Sequence, residues 1–159
     1  MNIMANDNDL IKIKEDAIKI QEADIADTIK SIESENTKSS FVLGFAAVLF
    51  GIVFDKIGKI PNEVALTFLL LLLLSVSLAF WNISAKKIKI HTNVDEVFVK
   101  NKPDDWKEYL NCRHLRLREI YSEANKLLYQ KASLTRLAFI LLILSVLLFS
   151  IARIFYGRG

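Results

Sequence analysis

Side chains of the kind that do covalent or metal chemistry are sparse here: two histidines, His91 and His114, and one cysteine, Cys112. The histidines stand far apart, and neither has a partner at the spacing of a zinc ligand set, so both read as solvated or interfacial residues. Cys112 is flanked by Arg113 and His114, neighbours of the kind that activate a thiol, although a lone cysteine on a helix is ordinarily inert packing. No phosphate loop, dinucleotide glycine pattern, HExxH or CxxC motif occurs. The carboxylates are scattered along helix faces, where solvation explains them. The expected reading is no enzyme, with no catalytic residue, no metal and no cofactor.

One concentration of binding groups stands out, and it is basic: Lys86, Lys87 and Lys89, with Arg113, Arg116 and Arg118 further along the chain. Such cations suit the phosphate of a ligand or of anionic lipid headgroups. No nucleic-acid-binding motif accompanies them, which argues against nucleic acid as a partner.

The elements that carry these residues are set by three apolar runs. Val64–Ile83 and Leu137–Ala152 contain no charged residue. Roughly 20 residues at 1.5 Å each match the hydrocarbon thickness of a bilayer, about 30 Å. The first of these runs meets that length alone. The second needs its flanks, with Arg136 and Arg153 reaching toward headgroups. A third run, Phe41–Phe54, is shorter: it becomes a span if its flanks are included, and is otherwise a re-entrant or interfacial helix. Gly44, Ala47 and Gly51 lie on one face of it, a small-residue surface for transmembrane packing. The runs have few polar groups, and no ionisable residue is expected in the middle of a span.

The flanking segments read as helices. Ile11, Ile18, Ile25 and Ile32 recur every seven residues among Lys, Glu, Asp and Gln, an amphipathic stripe with a coiled-coil tendency that polar Lys14, Gln21 and Thr28 weaken. Leu110, Leu117, Ile120 and Leu127 belong to a second stripe, interrupted by Arg113 and Lys131. Pro103, Asp105 and Glu108 supply its start signal. No Gly or Pro separates either stripe from the apolar run that follows. Residues 1–38 carry five Lys against nine Asp or Glu, and residues 85–136 carry twelve Lys or Arg against seven. Matched length and opposite charge suggest that the stripes pack together, within a protomer or between protomers; the alternative is that each lies on the membrane surface. Both stripes are therefore candidate oligomerisation surfaces. Between them, Lys86–Lys100 alternates apolar and polar residues as two short strands would.

The expected fold is an all-α membrane protein with three transmembrane helices, two of them continuous with long parallel cytoplasmic helices. Its segments are 1–38 (amphipathic helix), 39–60 and 61–84 (first and second spans), 85–104 (strand-like insert), 105–133 (amphipathic helix) and 134–156 (third span). Lys and Arg concentrate in 85–136, which places that segment and the N-terminus inside and predicts a multi-pass inner-membrane protein. The N-terminus does not read as a signal peptide, and a single cysteine allows no intrachain disulfide.

The stretch Ile120–Ile151, in which a charged amphipathic helix bearing Lys126 and Lys131 passes unbroken into an apolar span, carries a likeness, together with Trp106–Tyr109 (WKEY). The chain resembles in architecture the small transmembrane effectors of bacterial antiviral signalling, the Pycsar transmembrane effectors and SLATT-type proteins. That resemblance implies a homo-oligomeric effector that disrupts or depolarises the inner membrane, triggered by a nucleotide second messenger or another infection signal. The competing expectation is a membrane-anchored structural or adaptor protein whose cytoplasmic helices recruit a partner.

Overall fold

The computed structural model describes residues 7–54, 60–84 and 105–156, with side chains from residue 9 onward. All regular structure among them is α-helical: α1 spans Asp7–Phe54, α2 spans Asn62–Ser84 and α3 spans Trp106–Tyr156. The strand-like insert 85–104, with Lys86, Lys87, Lys89 and His91, lies outside the described residues.

Local signals account for two of the helix starts. Asp105 caps α3: its Oδ1 accepts the backbone N–H of Glu108 at 2.6 Å, as the Asp105/Glu108 spacing predicts. At the start of α2 the carbonyl of Pro61 accepts the N–H groups of Val64 and Ala65, each at 3.0 Å, and Glu63 adds a carboxylate to the first turn, where the helix dipole favours it.

The chain forms two compact units. One comprises residues up to Ser31 together with Lys87–Leu128, and the other Ile32–Lys86 together with Tyr129–Gly159. Helices α1 and α3 contribute to both.

The first unit is a helix pair. Ile18 and Ile25 of α1 are buried against Tyr109, Leu110, Leu117 and Ile120 of α3, with Ile11 and Ile29 packed at the margin. The pair is parallel and in register. Trp106 donates to Glu15 at 3.2 Å, and one heptad further along both helices Arg113 donates to Glu22. Charged and polar residues make up most of the remaining faces, as on an amphipathic helix, with Ile13, Ile20 and Leu115 also exposed.

The second unit is a three-helix bundle with the opposite surface. Its core is Val42, Ala46 and Val53 of α1, Phe68, Leu72 and Ala79 of α2, and Ala138 and Leu142 of α3. Phe68 and Phe149 rings lie 5.5 Å apart. Inside the bundle α1 and α3 run parallel, since Asn36 meets Lys131 and Ser39 meets Thr135. Helix α2 runs against them, since Ser75 meets Ala138 while Asn82 meets Lys131.

Outward, the bundle presents Phe41, Phe45, Leu66, Leu70, Leu73, Leu74, Ile140, Ile143, Leu147 and Phe155, all exposed. Only 22% of each helix's apolar window is buried. Water does not tolerate a continuous apolar surface of that extent. All three helices are long and apolar enough to cross a membrane, and 23-residue α2 reaches about 35 Å at 1.5 Å per residue.

Candidate functional site

A three-helix bundle in lipid gains little from apolar contact between helices, because acyl chains are as apolar as leucine. Its specificity comes from close packing and from hydrogen bonds between helices. Those bonds concentrate in one layer, built from Asn36 and Ser39 of α1, Asn82 of α2, and Lys131 and Thr135 of α3.

Heptad spacing brings the residues of this layer inward. In α1 the buried positions Ile18, Ile25, Ile32, Ser39, Ala46 and Val53 follow one another every seven residues. In α3, Leu117, Ala124, Lys131, Ala138, Ser145 and Ala152 do the same. A seven-residue repeat of this kind keeps one seam facing its partner along a left-handed supercoil. Ser39 and Lys131 therefore point into the bundle because of their register. In α2, Phe68, Ser75 and Asn82 occupy one such seam.

Asn82 is fully buried, and its amide nitrogen meets Ser39 Oγ at 2.7 Å, Thr135 Oγ1 at 2.7 Å and the Lys131 carbonyl at 3.3 Å. Thr135 Oγ1 donates to that same carbonyl at 2.9 Å. A carbonyl can only accept, which orients the Asn82 amide with its nitrogen toward Lys131. The other end, Oδ1, is buried with no partner among the described residues.

Lys131 is 2% exposed. Its Nζ donates to Asn36 Oδ1 at 2.7 Å and to the backbone carbonyl of Asn82 at 2.5 Å. No carboxylate pairs with it among the described residues; Glu35, on the neighbouring turn of α1, pairs with Lys38. Asn82 lies in the last turn of α2, whose closing carbonyls have no intrahelical partner, and that turn carries no basic residue of its own. Lys131 supplies the missing cation from a different helix. The partial negative charge of a helix C-terminus, about −0.5, stands where a carboxylate would.

Beyond this layer, Ser75 Oγ donates to the Ala138 carbonyl at 2.8 Å, a second bond between α2 and α3. Ser145 bonds within its own helix, to Leu142. Outward-facing Ser40, Thr67 and Ser150 each bond the carbonyl four residues back, which removes their need for water in an apolar surround.

The residues singled out from sequence fall differently. Ile18 and Ile25 meet Leu110, Leu117 and Ile120 inside one chain, so the face assigned to oligomerisation is covered by the chain's own α3. Ile11 and Leu127 are half-buried and Ile32 is buried in the other unit. Of the polar interruptions on α1, Lys14 is bonded across the pair, donating to Asn111 at 2.8 Å, while Thr28 donates within its own helix to the Asp24 carbonyl at 2.8 Å. Gln21 is less well served, its Oε1 buried without a partner among the described residues.

Of the basic cluster, Arg113 is committed to Glu22 and to the Tyr109 hydroxyl. Burial alone would lower the Arg113 pKa, but the Glu22 carboxylate and the Tyr109 side chain together outweigh it and hold the guanidinium above its usual range. Arg116 pairs with Glu119 on its own helix at 2.9 Å, and both are well exposed. Arg118 is exposed. Cys112 and His114 are half-buried on the same helix. Gly44, Ala47 and Gly51 face outward, and a Cβ built on either glycine meets nothing within 4 Å.

Sequence reasoning assigned no site role to Asn82, Ser39, Thr135 or Asn36, and took Lys131 as an interruption of a stripe and as one of the charges that carry the resemblance. A usable signal was present: the heptad begun at Ile11 reaches Ser39 when continued through the apolar run. Set against protein-family models, curated proteins and solved structures, the chain has no match.

Proposed function

We propose that this chain is a multi-pass inner-membrane effector, acting as a homo-oligomer to impair or depolarise the membrane when triggered, in the manner of the antiviral transmembrane effectors it resembles. The observation that carries this reading is the make-up of α1 and α3. Each contributes one end to a water-suited helix pair and the other end to a lipid-suited bundle. A signal received by the pair therefore acts on the same helices that line the membrane part.

The N-terminus and residues 85–136 are taken as cytoplasmic from the Lys/Arg distribution. The trigger is taken to be a nucleotide second messenger or a sensor protein, with the basic residues Lys86, Lys87, Lys89, Arg116 and Arg118 as its point of contact or as a contact with anionic headgroups. Purified protein reconstituted into anionic vesicles that hold a potassium gradient tests the reading. Dissipation of the gradient on addition of a cyclic nucleotide, or of a protein encoded beside this chain in its genome, supports it. Vesicles that stay sealed under every such addition count against it.

One observation favours the adaptor reading. Ile13 and Ile20, seven residues apart on α1, are each 63% exposed, which offers a short apolar stripe to a partner helix. Under that reading, sealed vesicles are accompanied by a partner lost on Ile13→Ser and Ile20→Ser substitution.

A further inference from the structure

Apart from one bond, Ser75 to the Ala138 carbonyl, everything that ties α2 to its neighbours by hydrogen bonding among the described residues passes through the layer at Asn82 and Lys131. The other contacts of α2 are between apolar side chains, which lipid replaces at little cost. The layer is also imperfectly satisfied. Among the described residues, Lys131 is buried without a carboxylate and Asn82 Oδ1 is buried without a donor. Both groups lie near the end of α2, within reach of headgroups if the helices part, and long cationic side chains near span ends snorkel to that interface. Bonds that favour the closed bundle are thus set against polar groups that gain partners when it opens. Such a balance suits an element with two states a small bias can exchange.

We propose that the Asn82–Lys131 layer is a latch holding α2 on the membrane parts of α1 and α3, and that its release is the step by which the spans rearrange. This rests on the effector reading only for the consequence of release; the latch itself is a property of the bundle. Lys131 acts through Asn82 and is a positioning residue.

Each interhelical hydrogen bond in a bilayer is worth about a threefold shift in equilibrium. Of the two that Lys131 makes through its side chain, to Asn36 on α1 and to the Asn82 carbonyl on α2, only the second holds α2, so Lys131→Met should raise the ratio of separated to closed α2 about threefold. The full chain, with Cys112→Ser, carries spin labels on cysteines placed at exposed Ile83 and Ser133 and is reconstituted in mixed zwitterionic and anionic lipid. The parent should show strong dipolar coupling between the labels. Lys131→Met and Asn82→Ala should weaken it while helix content by circular dichroism is unchanged, and Ser145→Ala, whose bond lies within one helix, should not. Coupling as strong in both variants as in the parent overturns the latch. Weakened coupling in vesicles that nonetheless remain sealed upholds the latch and contradicts the effector reading.

Discussion

The ammonium of Lys131 is hydrogen-bonded to the backbone carbonyl of Asn82, so that a side chain from α3 closes the last turn of α2. This relationship explains a buried lysine that has no acid to pair with among the described residues: the carbonyl end of a helix is the negative group it needs. Replacing the lysine by an acid should therefore be worse than merely deleting its charge. Lys131→Glu sets a buried carboxylate against those carbonyls and should cost about 3–5 kcal/mol, the scale for an uncompensated buried charge. Lys131→Met should cost about 1–2 kcal/mol, the scale of the hydrogen bonds removed. Thermal unfolding in detergent, followed by circular dichroism, should give the order parent, Met, Glu from most to least stable.

In the helix pair the apolar contacts should outweigh the ionic one. Ile25 is buried between α1 and α3, and truncation to alanine removes a core side chain at a cost of about 2–5 kcal/mol. The Glu22 and Arg113 side chains are 37% and 29% exposed. Glu22→Gln should accordingly cost no more than about 1 kcal/mol, since solvent screens partly exposed pairs. Limited proteolysis checks this: Ile25→Ala should become cleavable between residues 12 and 38 at the existing lysines, and Glu22→Gln should resist nearly as well as the parent.

How far the architecture could be read in advance depended on which groups the sequence spells out. The apolar runs gave the spans, and the isoleucine heptad gave the first half of α1 and its partner stripe on α3. The Asp105 cap was visible for the same reason, because its partner lies three residues away. The polar layer was not. Asn82 sits at the end of a leucine-rich run that looks uniform, and only its seven-residue spacing from buried Ser75 marks its direction. Lys131 was harder still. Its main partner is a backbone carbonyl, a group every residue has and no letter distinguishes. The isoleucine stripe left its partner open, within a protomer or between protomers: an apolar face shows that something covers it, and in the single chain α3 does so.

If copies of the chain associate in the membrane, the outward Gly44–Gly51 face is the surface where backbones can come close. Adding side chains there meets open space within one chain. Gly44→Leu with Gly51→Leu should thus leave the bundle folded and reduce crosslinked oligomers at least severalfold. A full ladder of oligomers from the double variant would move the contact between copies to another face.

The orientation rests on charge alone, and cysteine labelling of whole cells decides it. With Cys112→Ser as background, an impermeant maleimide should modify cysteines at Asn62 and Gly159 and spare one at Asn101. Labelling at Asn101 alone would invert the assignment, and protection of Asn62 would make the Phe41–Phe54 run re-entrant.

The measurement that bears most directly on the proposed activity is single-cell membrane potential after induction of the chain together with its genomic neighbours. The account predicts that potential collapses once the protein reaches the membrane. It also predicts that Ile18→Asp with Ile25→Asp, which disrupts the helix pair while leaving the spans intact, reaches the membrane at the same level and leaves the potential unchanged. A parent protein abundant in the membrane fraction of cells whose potential never falls, with any neighbour present, would contradict it.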